Sequence, residues 1–106
     1  MFVEPGGALR CLDLGASVTE SGALTVGTWT HVAYTHDGQT LSLYIAGQRR
    51  VTAPGAALET GNDTGTSIGG NSPSGDPFVG RIDELRIWNR ARTAAEVCAA
   101  AGCVAE

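Results

Sequence analysis

The dipeptide Asp37-Gly38 stands between two runs that alternate polar and apolar residues, Trp29 to His36 and Leu41 to Ile45. Asp-Gly between alternating runs is a hairpin signal, because both residues tolerate the positive φ that a tight turn demands. A second short turn, Ala46-Gly47, follows at once, and Arg49 to Thr52 reads as the returning strand. Residues 29–52 therefore predict three antiparallel strands in a meander. On the middle strand, alternation turns Leu41, Leu43 and Ile45 inward and Ser42 and Tyr44 outward. Trp29, at the head of the first strand, is expected to anchor the core.

The flanking sequence adds more short strands. Residues 1–7 read as a loose lead-in broken by Pro5-Gly6-Gly7. Ala8 to Leu14 is strand-like, with Leu9 and Cys11 on one face and Leu12 and Leu14 on the other. A strand that is apolar on both faces lies between two layers or lacks a partner. Val18-Thr19 suggests another strand, and Thr66 to Ile68 a brief one. Residues 54–62 and 71–77 carry the small and polar residues of loops. Phe78 to Asn89 reads as a long strand in which Ile82, Leu85 and Ile87 share one face only if an extra residue at Asp83-Glu84 forms a bulge. Thr93 with Glu96 three residues on makes a capping box ahead of the alanine-rich run 94–101, and Gly102 stands where a helix ends. Many short strands with one terminal helix predict an all-β antiparallel sandwich.

With 106 residues the chain makes a single domain at most. No apolar run nears the ~20 residues of a membrane span, so no membrane insertion is expected. Met1 to Pro5 has neither basic residues nor a long apolar run and does not read as a secretory signal. The net charge is −4. Acids interrupt the arginines between Arg81 and Arg92, which argues for a solvated face and against nucleic acid as a partner. Of the three cysteines, Cys98 and Cys103 stand close enough to bridge a helix end. Three buried thiols are the alternative.

The ordered set Gly27-Thr28-Trp29-Thr30-His31-Val32-Ala33, His36-Asp37-Gly38, Leu41 to Gly47, Ile68-Gly69-Gly70-Asn71, Gly80 to Ala91 and Thr93 to Val97 resembles the laminin-G-like jelly roll. That family belongs with the concanavalin A-like lectins and glucanases. The likeness covers roughly residues 16–101. Two departures stand out: Ala46-Gly47 replaces the usual Asn-Gly, and family members are considerably longer. The chain looks like the C-terminal part of such a domain, without its early strands. Half a sandwich leaves apolar faces and sheet edges open, so self-association is expected, with two copies completing one another as a homodimer.

The resemblance implies a secreted or cell-surface module that binds a glycan or glycoprotein without catalysis. Sugar rings need an aromatic platform with amide, carboxylate or guanidinium partners. Tyr44 and Trp88 are the platform candidates, with Asn71, Asp76 and Arg86 as polar partners. The resemblance also implies a structural Ca2+ near Asp83, although ligands from the early strands are missing from the pattern. A polysaccharide-acting glycoside hydrolase is the alternative. It would need two carboxylates on one face, whereas Asp83 and Glu84, as neighbours, point to opposite faces of a regular strand. A third reading is an adhesive or structural domain of a larger surface protein, with no small ligand. His31 and His36 face opposite ways on a strand and make no joint metal site.

Overall fold

A computed structural model describes residues 1–13, 16–55, 67–70 and 77–104. The described elements are β1 (Phe2–Val3), β2 (Leu9–Asp13), β3 (Ala16–Glu20), β4 (Val32–His36), β5 (Thr40–Ile45), β6 (Gln48–Pro54) and α1 (Ala94–Ala100). They form two three-stranded antiparallel sheets, β1-β2-β3 and β4-β5-β6, each in sequence order. The fold is an antiparallel β-sandwich with one short helix near the C-terminus.

The core lies where the two sheets meet. Leu9, Cys11 and Val18 come from the first sheet and Leu41, Leu43 and Ile45 from the second. Strand β3 lies over β5 and β6. Alternation explains the choice of residues: positions i, i+2 and i+4 of β5 share the face that meets the other sheet. Leu41 and Leu43 are wholly buried. Tyr34, Val32, Val51 and Ala53 on the flanking strands pack around this cluster.

Local chemistry explains the turns. Asp37 accepts backbone N–H bonds from Gln39 at 2.9 Å and Thr40 at 2.7 Å through Oδ1, which holds the β4–β5 turn closed. Between β5 and β6, Ile45 pairs with Gln48 across a two-residue loop. Both loop residues have positive φ, 51° at Ala46 and 79° at Gly47, as a hairpin turn that follows strand twist requires. The ladder then slips by one: Tyr44 pairs with Arg49 and Leu43 with Val51, so Arg50 is the extra residue of a bulge.

The capping box is present. Thr93 Oγ1 accepts the Glu96 N–H at 3.2 Å, and Glu96 accepts the Thr93 N–H at 2.8 Å. Gly102 follows the helix with φ 76°. Cys98 and Cys103 form a disulfide, with Cα atoms 5.1 Å apart. Cys11 is free and buried. The helix end rests on the β5–β6 turn, where a Cβ on Gly47 would lie 2.8 Å from both Ala101 Cβ and Cys103 Sγ.

Several sequence expectations are corrected. Phe2–Val3 is a strand, paired through Phe2–Arg10 and Val3–Leu9, so the lead-in is not loose. Strand β4 starts at Val32, and Trp29 is two-thirds exposed instead of anchoring the core. Ser67 and Ile68 are not in a strand. Residues 77–92 are in neither strand nor helix. Their composition suits a strand, but a strand needs a ladder, and among the described residues neither sheet pairs with this segment.

Candidate binding surface

The segment 77–92 carries most of the chemistry that the sequence singled out. Its start is tied down where the Phe78 N–H donates to the Gly69 carbonyl at 2.8 Å. Every residue from Pro77 to Arg90 is exposed. Glu84 has φ 53°, a left-handed conformation that costs a non-glycine residue about 1 kcal/mol. The bulge expected at Asp83-Glu84 is not formed among the described residues, because this segment is in no ladder; the backbone kinks at the left-handed Glu84 instead. Asp83 stabilises it by accepting the Glu84 N–H through Oδ1 at 2.8 Å.

The two carboxylates have different partners. Asp83 serves the backbone, whereas Glu84 Oε2 meets Arg86 Nη2 at 3.2 Å. A glycosidase pair needs two carboxyls facing one substrate across a cleft. Here Glu84 faces a guanidinium on an open surface. Among the described residues no group of three His, Cys, Asp or Glu side chains lies together as a metal site. Asp83 is thus not part of such a group, and its one recorded contact is the backbone bond to Glu84.

Beyond the kink, Trp88 is half exposed, and the Arg92 guanidinium lies 4.0 Å from its ring centroid. This distance is that of a cation–π contact. Arg92 Nε also approaches Glu96 Oε2 at 3.4 Å, and Arg90 grips the same carboxylate through both terminal nitrogens, at 2.8 and 3.0 Å. The capping carboxylate of Glu96 therefore holds both Arg90 and Arg92, and Arg92 is the one that lies over the indole. Glu96 is held down at about 2 from its ordinary 4.5, chiefly by the Arg90 hydrogen bonds and then by the Thr93 N–H, so it stays charged throughout the neutral range.

Trp88 and Arg86 are thus brought onto one exposed segment. Tyr44 is not. It is 3% exposed, although alternation turns it away from the inter-sheet core, and this corrects the expectation that it is available at the surface. Its neighbour Ser42 is buried too, so both faces of β5 are covered. A central strand shows alternation only as two directions; it does not show which of them is wet. Asn71 and Asp76 lie outside the described residues. The sequence reading missed Arg90 and Arg92. The signal was there in Trp88 and Arg92, four residues apart beside a capping box.

A family model described as the concanavalin A-like lectin/glucanases superfamily matches residues 2–98. The chain is similar to the crystal structure of an S-layer domain-containing protein (residues 221–444) from Clostridium thermocellum ATCC 27405, with 28% identity and a TM-score of 0.63. That likeness covers 90% of this chain and 52% of the other, so the chain spans about half the length of the structure it matches. No curated protein matches the chain. Among the described residues no helix is long and apolar enough to cross a membrane.

Proposed function

The chain belongs to the concanavalin A-like lectin/glucanase superfamily, and on that premise we propose that it is a non-catalytic module of a surface protein that binds carbohydrate or glycoprotein. A surface or binding module is the coarse function that fits both the family and the S-layer neighbour. The observation that carries the finer reading is Trp88, an exposed indole with a guanidinium at 4.0 Å. Arg92 lies over the ring and the indole is half exposed, so it retains open surface with which to cover the apolar face of a pyranose. Arg86 lies two residues away and supplies donors for hydroxyl or carboxylate oxygens. The Cys98–Cys103 disulfide supports an oxidising, extracellular setting.

The reading is tested by pull-down on insoluble polysaccharides and by a glycan array, with the wild type and Trp88→Ala compared. Loss of one stacking aromatic weakens binding by about tenfold or more. Arg86→Ala weakens it less, because that side chain is an exposed partner. Absence of binding to any glycan, or binding that Trp88→Ala leaves unchanged, sinks the proposal.

A further inference from the structure

The terminal helix is tied down at both ends. Helix α1 has seven residues, of which Val97 and Cys98 are buried. A helix that short does not persist on its own backbone bonds. At its C-terminal end the Cys98–Cys103 disulfide closes the chain back on the last turn, and the Cys103 N–H donates to the Cys98 carbonyl at 3.0 Å. The same end lies against the β5–β6 turn, with Cys103 Sγ 3.9 Å from the Gly47 carbonyl oxygen. At the N-terminal end Glu96 reaches Arg90 and Arg92, and Arg92 lies over Trp88. We propose that the Cys98–Cys103 disulfide is a redox-sensitive strap for the Trp88 surface: intact, it keeps α1 formed and Arg92 over the indole, and its reduction releases both while the sandwich stays closed.

Three observations favour this link. The first is register. Glu96 stands two residues before Cys98, and its N–H reaches Thr93 Oγ1, at 3.2 Å, only while the first turn is wound. Exposed ion pairs such as those to Arg90 and Arg92 contribute little by themselves, so the place of Arg92 follows the helix.

The second is separation. The inter-sheet cluster of Leu9, Cys11, Val18, Leu41, Leu43 and Ile45 contains no residue of α1. The helix is therefore able to open as a local unit, without parting the sheets.

The third is access. Cys98 is buried, whereas Cys103 is only partly so. A dithiol supplies the two electrons. Its thiolate attacks Cys103 Sγ, the S–S bond breaks and Cys98 leaves as a thiolate. The reagent's second thiolate then displaces Cys103 from the mixed disulfide. The products are a cyclic disulfide and two cysteine thiols, which take up the two protons that the reagent lost. The link does not rest on the glycan reading, because it is read from the indole and not from a bound sugar.

Nuclear magnetic resonance of the full chain at neutral pH, before and after dithiothreitol, tests this. The probes are amide exchange in α1 and β5 and the Trp88 indole N–H, assigned by its loss in Trp88→Phe. Reduction should speed exchange at the Val97 and Ala101 amides, which donate to Thr93 and Val97, by about tenfold or more. It should shift the Trp88 indole signal and leave the Leu41 and Leu43 amides protected. Cys103→Ser should reproduce the reduced spectrum without reductant. Glu96→Ala keeps the bridge but lacks the carboxylate that joins the helix to Arg92, so its indole signal should not respond to reduction. A wild-type indole indifferent to reduction, protection lost in β5 together with α1, or a Glu96→Ala indole that responds as the wild type does overturns the proposal.

Discussion

The guanidinium of Arg90 holds the carboxylate of Glu96 at two points, 2.8 and 3.0 Å, while the same carboxylate caps the helix by accepting the Thr93 N–H at 2.8 Å. One side chain thus joins the exposed segment to the terminal helix.

This joint makes stability depend on acid pH. Glu96 is held at about 2 by Arg90 first and Thr93 second, against 4.5 ordinarily. Its stabilising contribution is complete above the unfolded value of 4.5 and is lost as pH falls through the folded value near 2. Asp37, held below 3.8 by the Gln39 and Thr40 N–H groups, loses its contribution in the same direction as it protonates. The thermal midpoint should fall steadily from about pH 5 to pH 2. Glu96→Gln should flatten that fall, and Thr93→Ala should cost ~1 kcal/mol at neutral pH. Parallel melting curves for wild type and Glu96→Gln would remove Glu96 from the account.

The β5–β6 turn offers a gain in stability. Ala46 has φ 51°, where its Cβ is crowded against its own backbone, and its side chain is exposed. Asparagine tolerates this conformation, and Asn-Gly is the preferred pair for such a turn. Ala46→Asn should therefore raise stability by about 0.5–1 kcal/mol, read from the urea midpoint. Gly47→Ala should do the opposite, because φ is 79° and the new methyl would meet Ala101 Cβ and Cys103 Sγ at 2.8 Å. A loss of about 1–3 kcal/mol is expected. If Gly47→Ala melts like the wild type, the helix end does not rest on this turn.

These turns and the capping box were legible in the sequence because each is decided by neighbouring residues. Asp37 closes its own loop on Gln39 and Thr40, and Thr93 and Glu96 cap one another. What depends on a distant layer was not legible. Alternation separates Leu43 from Tyr44 but does not show that both are buried. Phe2–Val3 is a strand only because Leu9 and Arg10 lie opposite, and two residues carry no period of their own. The run from Phe78 to Asn89 has a strand's composition, yet pairing belongs to two strands and the second is not among the described elements. The Trp88–Arg92 contact sits between these cases: the spacing is local, but the indole's exposure is not.

Cys11 gives a prediction that depends on the core being closed. The residue is 1% exposed, between Leu9 and Val18, and burial pushes its thiol up to about 11 from 9.0, partly offset by the N-terminal ammonium. A neutral thiol is favoured in the fold, so its contribution is complete below 9.0 and is lost as pH rises toward 11. At neutral pH the native protein should give no reaction with a thiol reagent, because Cys11 is both shielded and protonated. Unfolding in urea without reductant should expose one thiol per chain, and added reductant should raise the count to the three cysteines present. A native protein that reacts promptly at Cys11 would mean that the two sheets part easily, and the core described above would have to be redrawn.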